Sequence, residues 1–534
     1  MPVDLVLYNG DIHTMDAAQP RARAVAIAGD RIWALGDDAS MRALLGPGGA
    51  VLDLKGRTMV PGFTDSHLHF MSYGLGLLQI DLAAVASLDE ALARVGQRAQ
   101  ATPAGQWLLG RGWDHSLWAG GAFPTRHDLD RVAPDHPVWL RRKCGHAGWA
   151  NSRALSLAGI TAQTPDPPGG AIDRDPASGE PTGILKETAL ELIEGLLAEP
   201  SPDEGAAAIQ AAIAHAHRWG IVGIHTMEGP AALRAFQTLH QQGALNLRVL
   251  MQIPEENLEA AIQMGIQSGL GDARLRIGAV KIFADGALGA RTAHMLAPYE
   301  GEPDNVGIAV AGARHLREVV GKAARAGIAV FVHAIGDRAN REVLDAIEAS
   351  RQAGEGAHLR HRIEHVQIIH PDDVPRLARL GVVASMQPIH ATQDMDLADA
   401  LWGTRSAHAY AFRRLIDAGA ALTFGSDAPV EVMNVLTGIH AAVTRRRADG
   451  SPGPEGWYPE QRLTVAEALY AYTAGPAYAS GEEAIKGSLT PGKRADLVVL
   501  SRDIFAIDPM DILHTEVVAT LLDGEFVYRQ DDIG

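Results

Sequence analysis

Between residues 60 and 480 the chain alternates short apolar runs with amphipathic helical stretches, and this alternation restricts the folds open to it more than any other feature. The runs fall at 58–60, 138–140, 221–224, 277–283, 329–332, 361–364, 382–385 and 422–424. A continuously apolar strand is buried on both faces, and helices between such strands return the chain to the same edge, so the sheet is parallel. Eight units of this kind favour an α/β chain closed into a (β/α)8 TIM-type barrel over an open sheet. In such a barrel the chemistry collects where the strands end. Two stretches, 70–137 and 150–215, exceed what a crossover helix needs and read as insertions; the second contains the Pro/Gly-rich loop 164–183.

The two ends of the chain have a different texture. Short strands at 3–7, 24–28, 32–35 and 51–54 are punctuated by Asn9-Gly10 and Gly29-Asp30. Strands at 496–500, 517–522 and 526–528, with a turn at Asp523-Gly524, repeat the pattern at the far end. Neither end has enough apolar residues to close a core alone. The expectation is one small β-sandwich built from 1–58 plus 485–534, around a barrel spanning 59–484.

Charge narrows the partners. Against 47 Lys+Arg stand 64 Asp+Glu, a formal net charge of −17 that argues against nucleic acid or an anionic membrane as partner. Cys144 is the single cysteine, so no intramolecular disulfide and no Cys-rich zinc module is available. The opening MPVDLVLYNGD has no basic stretch followed by an apolar one, and no window reaches 18 uninterrupted apolar residues. A soluble cytoplasmic protein acting on a small molecule is expected.

Of the 22 histidines, position selects a few. His67 and His69, in PGFTDSHLHF, are two apart on an extended segment, where both imidazoles face one side and can reach one ion. His215 and His217 have the same spacing in a helical pattern, where they diverge. Lys281 interrupts an apolar strand in IGAVKIFADG; it is either ion-paired with Asp285 or another carboxylate, or neutralised at a metal or catalytic centre. His333 follows AVFV, His365 closes HRIEHVQ, and Asp427 lies in GSDAPV. Each alone reads equally well as a satisfied buried polar group. Together, five strand ends carrying metal-competent side chains point to a divalent-metal centre.

A second group has two readings each. His146 and Asn151, in GHAGWAN, are substrate contacts or structural; Asp285 and Arg291, in ADGALGAR, order a loop or hold a substrate group. Trp107, Trp113 and Trp118 cover a pocket or pack, Cys144 reads as a small core residue, and Gly74 with Gly76 is too sparse for a phosphate loop. A carboxylate-pair glycosidase using Glu364 and Asp427 would leave the histidines without a role.

Taken in order, MVPGFTDSHLHF, GHAGWANSRAL, KIFADGALGARTA, VFVHAIGDRANREVLDAIE, RHRIEHVQII, FGSDAPV and GSLTPGKRADLVVL resemble the metal-dependent amidohydrolase superfamily over essentially the whole chain. Within it they are most similar to the YtcJ-like group, amidohydrolase family 3, which includes N-substituted formamide deformylases. The resemblance implies one or two divalent ions per chain, zinc foremost. His67, His69 and Asp427 would hold the more buried ion, and His333 and His365 the second. Lys281 would bridge them as a carboxylated lysine, and Asp427 would also serve as general base. The implied reaction is hydrolysis of an amide-type C–N bond, with a homodimer expected by likeness alone. A lactone or ester hydrolase on the same centre, and a silent barrel scaffold that has lost its metal, are the alternatives.

Overall fold

The computed structural model describes residues 3–83, 85–143, 147–197 and 200–531. Eight parallel strands follow one another in a single sheet: Phe63–Leu68, Ile221–Thr226, Arg248–Pro254, Leu275–Phe283, Ala329–Ala334, Arg362–His365, Val383–Met386 and Leu422–Phe424. The first and last strands meet beyond the ladder. Asp427 N donates to His67 O at 2.7 Å, His69 N donates to Ala428 O at 2.8 Å, and the hydroxyls of Ser66 and Thr423 lie 2.6 Å apart. The sheet is therefore a nearly closed eight-stranded barrel in a mixed α/β fold. Helices return the chain between strands as the periodicity requires. In Ala313–Arg325, Leu316, Val319, Val320, Ala323 and Ala324 are buried at helical spacing, and Lys322 and Arg325 occupy the last turn, where cations favour the helix dipole.

Eight strands are expected and eight are found, but two of them are different segments. The run at 58–60 belongs to Thr58–Pro61, a strand that pairs with Asp11–His13 and Leu497–Leu500 outside the barrel. The run at 138–140 lies in Val138–Arg142, within a separate mixed sheet. Their places are taken by Phe63–Leu68 and Arg248–Pro254, every residue of which is buried except the half-buried Pro254. Both strands carry polar groups inward, and a search for apolar runs passes over them.

Strands from both chain ends pair with each other. One sheet orders Arg31–Gly36, Ala24–Ala28, Val3–Tyr8 and Leu45–Asp53; another orders Glu525–Arg529, Val517–Leu522, Leu497–Leu500, Thr58–Pro61, Asp11–His13 and Arg21–Ala22. Leu7, Val25, Ile27 and Leu52 of the first share one apolar cluster with Ile12, Met59, Leu497, Val499 and Leu521 of the second.

A buried ion pair ties barrel strand three to these sheets. Arg248 donates from Nε and a terminal nitrogen to the two oxygens of Asp496, each at 2.7 Å, and again to Asp523 at 2.5 Å. Burial alone would raise the Asp496 carboxyl, but the Arg248 guanidinium outweighs it and holds the group below its ordinary range. Asp496→Asn leaves the buried guanidinium with Asp523 as its remaining carboxylate and is expected to cost about 3 kcal/mol, read from the urea midpoint. A depressed carboxyl contributes stability above its unfolded pKa of about 3.9 and loses it as pH falls through the lower folded value. The wild type is thus expected to lose this increment only below about pH 4, and the variant to lack that acid-dependent step.

Residues 72–211 form a second compact unit, apart from 1–71 and 212–534. Its six-stranded sheet runs Gly170–Arg174, Pro181–Glu187, Ala147–Ala150, Val138–Arg142, Leu108–Trp113, Ile80–Asp81. Trp113 and Trp118 pack in its core against Trp149, and Trp107 packs against a neighbouring apolar cluster. Cys144 and His146 lie outside the described residues.

Candidate metal centre

The strand ends deliver their side chains to one place. His67 Nε2 lies 3.5 Å from Asp427 Oδ1, and His69 Nε2 lies 3.6 Å from the same oxygen. The His365 ring sits between those of His67 and His333, with centroids 4.7 and 4.6 Å away. One ligand atom from each of His67, His365 and Asp427 falls within 4.8 Å of the others. Two of these residues depart from strand geometry: His365 has φ +76° and Asp427 has φ +59°. Left-handed backbone at non-glycine residues costs on the order of 1–3 kcal/mol each and is held by surrounding structure.

The far side of each imidazole is already engaged. His67 Nδ1–H donates to Glu364 Oε2 at 2.5 Å, and His365 Nδ1–H donates to Gln387 Oε1 at 2.9 Å. His333 Nε2–H donates to the Gly286 carbonyl at 2.9 Å. The lone pairs left free are Nε2 of His67, Nε2 of His365 and Nδ1 of His333. This is the outer arrangement that fixes tautomer and ring orientation in metal-ligating histidines.

Burial also sets the charges. It drives His67 and His365 well below the ordinary imidazole range and His333 to about 4. It lowers His69 as well, against the opposing Glu228 carboxylate. All four rings are neutral near pH 7, the form that ligates a cation. Lys281, 5% exposed, is lowered by burial to about 8, with Glu364 and Asp427 opposing the fall. Asp427 is raised by burial to about 7, Lys281 pulling it down while Asp65 and Glu364 push it up. Converging neutral imidazoles, a carboxylate and a partly deprotonated lysine suit a divalent cation. Lys281 and Glu228 line a cavity of about 480 Å³ with Met227, Pro254, Phe283 and Val310.

The other described sequence candidates each have partners of their own, and Asp285 borders the cluster. Asn151 is fully buried in the 72–211 unit, where Oδ1 accepts from Val138 N and Ala154 N and Nδ2 donates to Ala133 O and His136 O. It caps the helix Ser152–Leu157, so its amide has no group left for a substrate and that reading is corrected to a structural one. Asp285 accepts backbone N–H groups from His294, Ile335 and Gly336. It thereby orders the loop after strand four around the end of strand five, and it stands 3.6 Å from His333 Nε2. Arg291 is half exposed and pairs with Glu302. His146 lies outside the described residues.

Three neighbours of the cluster have no part in it by sequence alone, where Glu364 reads only as a glycosidase carboxylate. Glu364 and Gln387 orient His67 and His365, and Arg362 braces Glu364 through bonds of 2.8 and 3.0 Å. The signal for the first and last was present: Arg362 and Glu364 are two apart on a strand, so both face inward in an otherwise buried run. His215 and His217 are structural as expected; His217 Nε2 sits 2.7 Å from Asn246 O in the helix Pro202–Arg218.

Known proteins align with this architecture. The chain is 36% identical over 533 residues to YtcJ of Bacillus subtilis, covering 98% of this chain and 99% of the relative. It is 30% identical over 542 residues to an N-substituted formamide deformylase of Arthrobacter pascens, covering 99% and 98%. Among solved structures, an uncharacterized metal-dependent hydrolase from Pyrococcus horikoshii superposes with a TM-score of 0.79 at 30% identity, over 95% of this chain and 99% of that one. The amidohydrolase family profile matches residues 50–528. A barrel with histidines, a lysine and an aspartate at its strand ends, matched over nearly its full length, makes this chain a hydrolase of the amidohydrolase family.

Proposed function

We propose that the chain hydrolyses an amide-type C–N bond of an N-substituted amide or formamide, using one or two divalent ions, zinc foremost. The observation that carries this is the convergence of His67, His365 and Asp427 within 4.8 Å, with the outer nitrogen of each ring held by Glu364 or Gln387. His67, His69 and Asp427 would hold one ion and His333 and His365 the other. A divalent ion there supplies Lewis acidity, which polarises a carbonyl and lowers the pKa of water from about 16 toward 7. Lys281, whose amine burial has made easier to deprotonate, would take up carbon dioxide as a carbamate, with loss of one proton, and would offer its carboxylate oxygens to the metal. Asp427 accepts a proton from the attacking water as the C–O bond forms. It returns that proton to the nitrogen as the C–N bond breaks, because an amide anion is a poor leaving group.

The same reading extends to three further expectations: the two terminal sheets would form the family's small β-sandwich, the cavity beside Lys281 would admit a small molecule, and two copies would associate as a homodimer. The test is a panel of amide, N-formyl, carbamate, lactone and ester substrates on protein reconstituted with Zn²⁺ or Mn²⁺, with metal content measured alongside. C–N cleavage by metal-loaded protein supports the reading; turnover of esters or lactones alone replaces it, and protein with no affinity for metal removes it. Lys281→Met is expected to lower metal content per chain and to abolish a mass increment equal to one carbon dioxide. An unmodified Lys281 in the active wild type would end the bridging role.

A further inference from the structure

Barrel strand seven, Val383–Met386, contributes none of the six residues assigned above, yet the helix that follows it, Pro388–Gln393, brings His390 to the same place. His390 is 8% exposed, and its Nε2 has no hydrogen-bond partner. That atom lies 3.6 Å from Asp427 Oδ2, too far for a bond between them. Asp427 thus divides its carboxylate. Oδ1 faces His67 and His69, at 3.5 and 3.6 Å, while Oδ2 faces His390. The His390 ring stands 6.4 Å from that of His365, on the border of the histidine cluster. A buried polar nitrogen without a partner is rare in a native fold and needs an explanation.

Resting on the hydrolase reading above, we propose that His390 is a catalytic residue: its Nε2–H donates a hydrogen bond to the oxygen of the acyl group under attack, beside the carboxylate oxygen that moves the proton. With Nε2 and Oδ2 3.6 Å apart, an acyl oxygen accepting from Nε2–H and a water donating to Oδ2 stand side by side. The acyl carbon and the water that attacks it then lie within reach of one donor and one acceptor. As water adds, its O–H proton goes to Asp427 Oδ2 and the carbonyl π pair moves onto the oxygen, where His390 meets the new negative charge. When the C–N bond breaks, that pair re-forms the carbonyl and Asp427 delivers the proton to nitrogen. His390 keeps its own proton throughout, so the ring acts as a fixed donor aimed at charge that develops in the transition state. Holding it buried and unbonded beforehand removes the need to strip away a competing partner.

His390→Ala, His390→Met and His390→Gln separate this role from packing and from ligation. For His390→Ala and His390→Met, kcat/KM is expected to fall about 100- to 1000-fold with metal content unchanged, while His390→Gln, which keeps an N–H donor, recovers part of the loss. Binding supplies a second readout that needs no turnover. Affinity for a phosphinate mimic of the tetrahedral species is expected to fall by a similar factor, and affinity for the amine product to change less than about threefold. His390→Met keeps the apolar volume, so it serves where His390→Ala destabilises the fold. Phosphinate affinity that is unchanged in folded, metal-loaded His390→Met or His390→Gln overturns the proposal. So does metal loss in proportion to the activity lost, which would make His390 a ligand. A wild type that binds the phosphinate through His390 yet cleaves no C–N bond would overturn the substrate reading and leave this donor role standing.

Discussion

Asp427→Asn is expected to lower turnover about 10,000-fold, the upper end of what one general acid–base group supplies, without unfolding the protein. Asn keeps the shape of the side chain and tolerates left-handed backbone better than most residues, so φ +59° and the bond from residue 427 N to His67 O both survive. What the amide loses is the ability to take a proton. Burial raises the Asp427 carboxyl to about 7, which makes it a stronger base than an ordinary carboxylate. Only the ionised form accepts the proton, so wild-type activity is expected to rise with pH through the folded pKa, and a divalent cation held by Asp427 would move that limb to lower pH. The variant is expected to lack the limb. Kinetics with metal content measured in the same samples check this, and near-normal turnover with metal bound would remove Asp427 as the base.

How much of this was legible beforehand depended on whether a strand was apolar. The runs around 277–283, 329–332 and 422–424 became barrel strands close to where they were read because apolar residues dominate each, with Lys281 and Thr423 single exceptions. Phe63–Leu68 and Arg248–Pro254 were missed for the opposite reason. They carry the buried polar groups Ser66, His67 and Arg248, whose partners lie hundreds of residues away, and Gln252, which accepts from Ala279 N on the next strand; none of these pairings is visible to a local pattern. The metal-competent residues were legible because each occupies a strand end, and strand ends of a parallel barrel converge whatever the loops do. His390 was not legible: it sits within a helical turn, and only the path of the chain after strand seven brings it to Asp427. Asn151 was open to two readings, substrate contact or structure. Its place after a predicted strand suggested the site, but Val138–Arg142 belongs to a sheet of the inserted unit, and there the same residue is a helix cap.

Arg362→Met is expected to destabilise the protein by about 3–5 kcal/mol and to weaken metal binding about 10- to 100-fold, and the two losses should respond differently to a second substitution. Arg362 and Glu364 are both fully buried inside the barrel. The guanidinium donates to Glu364 at 2.8 and 3.0 Å, to Ser66 O at 2.7 Å and to Ser385 Oγ at 2.6 Å. It also donates to His225 Nδ1 at 2.8 Å and lies 4.0 Å over the Phe331 ring. Removing it takes from the buried Glu364 carboxylate the only cation hydrogen-bonded to it among the described residues. The group then either stays ionised at high cost or binds a proton, and a protonated Glu364 is a weaker acceptor for His67 Nδ1–H. Stability and ligation fall together in the single variant. In Arg362→Met/Glu364→Gln the buried charge is gone, so much of the stability is expected to return, with a coupling of about 0.5–3 kcal/mol in urea unfolding. Metal affinity is expected to stay low, because a neutral amide cannot replace the carboxylate behind His67. Additive losses in stability would mean that the pair is not coupled, and full recovery of metal affinity would mean that Glu364 orients His67 by shape alone. The buried pair is therefore assigned to the site rather than to the fold: an apolar barrel interior would be at least as stable, but it would leave the first histidine of the cluster free to turn.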